Sequence, residues 1–88
     1  MMIPTVHMNG TSKEELVEQL CDASNALEEA YQKLKRAAPN GRDYYPQGND
    51  AIKKATDEHF ARLAKIDEIK KEIDELAFQI DQGGHSKK

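Results

Sequence analysis

Between Asn49 and Gln82 the chain carries neither glycine nor proline, and apolar side chains return every three or four residues through that span. Ile52, Ala55, His59, Leu63, Ile66, Ile69, Ile73, Leu76, Ala77 and Ile80 form one stripe, the spacing of a single face of an α-helix. A strand needs alternation of period two, which is absent. A continuous helix of about 33 residues, roughly 50 Å long, satisfies the pattern. Such a rod cannot fold onto itself, so its stripe must be covered by another rod.

The first half of the chain supplies one. Thr11 and Ser12 each precede a glutamate by three residues (Glu14 and Glu15), so either can close a capping box. Leu16, Leu20, Ala23, Leu27, Ala30, Leu34 and Ala37 then follow in 4-3-4-3-4-3 spacing, a heptad seam widened by Val17, Tyr31 and Ala38. Pro39, Asn40 and Gly41 end this helix, with glycine expected in the left-handed cap. The reading is all-α: an extended lead-in over about 1–10, and a hairpin over 11–82. The hairpin comprises helix 1 at about 12–38, a polar loop at 39–48 and helix 2 at about 50–82. A disordered tail follows over 83–88.

Helix 1, at roughly 39 Å, is shorter than helix 2. A fold at the loop is therefore expected to leave the last two turns of helix 2 overhanging, with Ile3, Val6 and Met8 folding back to cover them. Phe78 shares a line with Asp67, Lys71 and Asp74 and fits a second contact surface. Two helices alone leave one side of each seam wet, and 38% hydrophobic residues without tryptophan make a thin core for 88 residues. A homodimeric four-helix bundle, or a higher oligomer, is the expected solution.

Composition narrows the function. A net charge of −3 with interspersed signs disfavours nucleic acid as a partner. No apolar run reaches membrane-spanning length, and the first ten residues lack the layout of a signal peptide. The cytoplasm is the expected location. Cys21, alone and within the apolar pattern, reads as a buried thiol. No common catalytic, nucleotide or zinc motif occurs. His7, His59 and His85 lie on separate segments, so neither metal nor cofactor is expected, and enzyme is the poorest class. His59 reads as a satisfied, half-buried histidine.

Two polar segments exceed what a hairpin needs. In the loop, Arg42 offers a bidentate donor for phosphate or carboxylate. Tyr44 and Tyr45 offer flat faces and hydroxyls, and Pro46 stiffens them. The alternative is structural: tyrosines plugging the end of the bundle, with Arg42 paired to Asp43 or a helix end. Ahead of helix 1, His7, Asn9, Gly10 and Thr11 stand at an anion-favouring helix start. Helix capping accounts for Thr11 and Ser12 equally well, and leaves Gly10 unaccounted for. The two segments lie at opposite ends of helix 1. Only an antiparallel dimer could bring the start of one chain beside the loop of the other, in two equivalent pockets. Arg36, Arg42, Lys53 and Lys54 would supply local positive charge there.

The pairing of HMNGTS with a central RDYYPQG resembles a group of small phage and prophage proteins without assigned function, over about 4–82. In size and architecture the chain is also similar to small helical phage proteins that hold nucleotide immune signals without converting them. The resemblance implies a non-enzymatic sequestering protein for a nucleotide-like ligand. Arg42 would sit on phosphate and Tyr44 and Tyr45 on the base, with His7, Asn9 and Thr11 at the helix start. The competing reading is a structural or protein-interaction hairpin, such as a virion accessory protein or an inhibitor docking a host protein through its tyrosines.

Overall fold

The computed structural model describes residues 1–83, and these form a helical hairpin without strands. Helix α1 spans Lys13–Arg36, α2 is one turn at Gly41–Tyr44, a 3-10 turn covers Tyr45–Gln47, and α3 spans Asn49–Gly83. The expected tail lies outside the described residues, except Gly83, which ends α3. No described helix is long and apolar enough to cross a membrane.

Ser12, not Thr11, caps α1: its Oγ accepts from the Glu15 amide at 3.1 Å. Glu14 and Glu15 in the first turn, with Lys33, Lys35 and Arg36 in the last, suit the helix dipole. The other end departs from expectation. No glycine adopts a left-handed cap there; α1 stops at Ala37, whose amide donates to the Leu34 carbonyl at 2.9 Å, ahead of Pro39. Gly41 instead opens α2, capped by Asn40, whose Oδ1 accepts from the Arg42 amide at 2.8 Å. The left-handed glycine is Gly48, at φ 104°, where the chain turns into α3.

The seam is rotated from the sequence stripe. Half-buried Val17, Leu20, Leu27, Tyr31 and Leu34 face α3 together with buried Ser24, while Ala23, Ala30, Ala37 and Ala38 are exposed. Ser24 Oγ donates to Asp74 Oδ1 at 2.5 Å, and Asp74 Oδ2 accepts from Lys70 Nζ at 3.0 Å. This cross-helix bond draws Ser24 inward, and bulky Tyr31 fills the next turn better than Ala30. The rotation carries Cys21 outward: it is exposed, not buried. On α3, Ala55, His59, Leu63, Ala77 and Ile80 are buried, but Ile69 is 47% exposed and half-buried Lys70 takes its place facing α1.

The Ser24–Asp74 bond also fixes the relative level of the helices, and it moves the overhang to the opposite end from the one expected. With 24 opposite 74, Arg36 at the end of α1 stands opposite about Arg62. The surplus of α3 is thus its first 13 or so residues, roughly 20 Å. The C-terminal turns are covered, as Ile80 at 1% exposure shows. Residues 37–48 climb along the surplus instead of turning tightly, packing α2 and the 3-10 turn on α3. In the lead-in, Val6 is half-buried and Ile3 is 36% exposed, whereas Met8 is 93% exposed and covers nothing.

Candidate functional site

The climbing loop builds a shallow concavity on α3. Tyr44, half-buried, lies against α3, and with Gln47, Ala51, Lys54, Ala55 and Glu58 it lines an open cleft of about 260 Å³. The Asn40 cap and the α2 turn position Tyr44, and Pro46 in the 3-10 turn carries the chain past it. Lys54 and Glu58, one helical turn apart, set opposite charges on the rim. Nearby Lys53 is engaged with Asp57 at 2.9 Å.

The structure separates the residues singled out from sequence. Of the loop trio, only Tyr44 lines the cleft. Tyr45 points away and is 84% exposed. Arg42 is exposed and turns back on its own cap, its Nε donating to Asn40 Oδ1 at 3.4 Å. Tyr44 thus covers the start of α3, and Tyr45 covers nothing. His7, Asn9 and Thr11 are exposed at the other end, with the whole of α1 between, about 36 Å. Gly10 gains a reason: its amide donates to the His7 carbonyl at 3.1 Å, and a Cβ on it would stand 2.9 Å from His7 Nε2. The His7 ring lies against Gly10 and would have to shift to admit a side chain there.

Gln47, Ala51 and Glu58 were not marked by sequence reading. Ala51 and Glu58 share a flank of α3 with Ala55 at i, i+4 and i+7, and Gln47 sits in the 3-10 turn before it, a pattern that becomes informative only once the loop is known to run alongside α3. His59 was misread. It is buried at 4% exposure with its ring tilted against Phe60, and Nε2 has no hydrogen-bond partner. Among the described residues no three of His, Cys, Asp and Glu converge to hold a metal.

Electrostatic perturbation is concentrated elsewhere, at the cross-helix bond. The Ser24 hydroxyl, and then the Lys70 ammonium, hold the Asp74 carboxyl below its ordinary 3.8. The hydrogen bond from Lys70 to Asp74, aided by nearby Glu28, holds the ammonium above its ordinary 10.5. Comparison with protein-family models, curated proteins and solved structures finds no match.

Proposed function

We propose that the chain is a non-enzymatic association module, a hairpin that works by packing against a second copy of itself and displaying its two polar ends from the resulting bundle. Its incomplete burial carries this reading. Among the described residues only Ala55, Leu63, Ala77 and Ile80 of the hydrophobic side chains are buried, and the accessible surface is 6765 Å². A compact monomer of 9.9 kDa exposes about 5,200 Å². The radius of gyration, 19.1 Å, compares with about 12 Å for a compact domain of this length. A rod with so thin a core supports a bundle of two hairpins, in which each supplies the other's missing wall. Light scattering tests this: a mass twice 9.9 kDa at micromolar concentration is expected, and a single-chain mass contradicts it.

The cleft at Tyr44 favours a second reading, sequestration of a small phosphorylated or nucleotide-like ligand. Tyr44 offers a ring face and Lys54 a cation. At about 260 Å³ the cleft is below the roughly 300 Å³ from which ligand pockets start, so this reading needs a neighbouring surface to close it. A thermal-shift series with nucleotides, followed by recovery of the bound compound, separates the readings. Stabilisation abolished by Tyr44→Ala and by Lys54→Ala, with the compound returned unchanged, supports sequestration. No shift with any nucleotide removes it.

A further inference from the structure

The two flanks of the hairpin differ, and the cross-helix contacts say which residues share a flank. Ser24 reaches Asp74, and Glu28 lies near Lys70, so these four mark one side. Both helices are right-handed and antiparallel. Positions rotated the other way from the seam, Ala23, Ala26 and Ala30 on α1 and Ile69, Ile73 and Leu76 on α3, therefore fall together on the opposite side. The three alanines are exposed, Ile69 is 47% exposed, and Ile73 and Leu76 are half-buried. The Ser24–Asp74 level sets Ala23 beside Leu76, Ala26 beside Ile73 and Ala30 beside Ile69. The first flank is different: Phe60 and Phe78 stand there among charges engaged with one another, Lys71 with Asp67 and Lys70 with Asp74.

We propose that the alanine–isoleucine flank is the surface on which a second copy of this chain docks, with a two-fold axis parallel to the helices, so that α1 of each copy packs on α3 of the other. This rests on the self-association reading above and adds the face and the register. Size matching selects the register. A row of small side chains lies beside a row of large ones at equal heights. Rotation about an axis along the helices sets each alanine against the partner's large residue at its own level. All four helix spacings then stay similar, as packing at 8–10 Å requires. Rotation about an axis across the helices would set alanine on alanine and isoleucine on isoleucine, forcing one pair of helices closer than the other. The hairpin as a whole carries about 1,500 Å² of surface above the compact-monomer value, more than the roughly 800 Å² per partner that a standard interface buries. One consequence follows for the polar segments. Both tyrosine loops lie at one end of this dimer and both His7 turns at the other, so no pocket joins the two segments.

Two measurements in a Cys21→Ser background test the proposal. In the first, sedimentation equilibrium compares Ile69→Glu with Phe60→Glu; both residues are more than two-fifths exposed in the hairpin, so its helicity by circular dichroism should survive. Ile69→Glu is expected to raise the dimer dissociation constant more than about tenfold, and Phe60→Glu to leave it nearly unchanged. The reverse pattern overturns the face while leaving association intact, whereas a parent chain that is monomeric throughout overturns both. In the second, chains carrying Ala26→Cys are mixed with chains carrying Ile73→Cys and oxidised. A disulfide-linked pair of unlike chains is expected. Efficient linkage of Ala26→Cys chains to each other overturns the register, and absence of either link overturns the interface.

Discussion

The lower part of the hairpin, where α1 lies on the second half of α3, is held differently from the upper part, where residues 37–48 lie on its first third. Below, two long stripes meet, Ala77 and Ile80 are buried, and Ser24 and Asp74 tie the helices across the seam. Above, a short helix and a 3-10 turn stand in for a second helix, and they cover Ala55 with a single tyrosine over an open cleft. His59, near the junction, is buried without a partner for Nε2. Periodic packing stabilises the lower part; the upper part gives up some burial and gains an exposed tyrosine and an open cleft.

The contrast can be broken by substitution. The largest effect is expected at Ile80→Ala, which empties the most enclosed site of the lower part and should destabilise by about 2–4 kcal/mol in denaturant unfolding. A loss below about 1 kcal/mol would mean that the lower seam is no tighter than the upper. Next comes His59→Leu. Replacing a buried polar ring that lacks a partner with an apolar side chain should stabilise by about 1–2 kcal/mol, seen as a raised thermal midpoint. A fall would show that the ring meets a need of the junction. Tyr44→Ala should cost about 1 kcal/mol and Tyr45→Ala less than about 0.5 kcal/mol, since one tyrosine covers α3 and the other does not. Equal effects would remove the distinction between them.

The smallest effect is the most diagnostic in pH. Asp74 is held below 3.8, chiefly by Ser24, so its contribution is fully present above that value and is lost as pH falls through the lowered one. Lys70 is held above 10.5 by Asp74, so its contribution is complete below that value and is lost as pH rises through the raised one. Solvent screening at half-exposed Asp74 keeps both small. Ser24→Ala should therefore lower the thermal midpoint modestly between about pH 5 and 9, and the gap to the parent should close in acid. A gap that persists below the lowered carboxyl value would assign the loss to packing.

Much of the hairpin was legible in the residues because its signals are local. Capping chemistry at Ser12, the stop before Pro39 and the breaker-free run from Asn49 place both helices within a residue or two of their positions in the structure. The rotation of the seam was not legible. Ala23 and Ala30 fit a seam or a surface equally well, and the side chain that draws Ser24 inward is 50 positions away in sequence. Nor was the direction of the overhang, which depends on Asn40 capping a turn that sends the loop up along α3. The candidate site suffered for the same reason. Arg42, Tyr44 and Tyr45 are neighbours in sequence, yet the turn at Gly41–Tyr44 directs one at α3 and the others away.

The proposed self-association is tested most directly by thermal unfolding across two decades of chain concentration. A hairpin that completes its core only against a second copy must melt at a midpoint that climbs with concentration. A cooperative transition at one fixed midpoint over the whole range would contradict it.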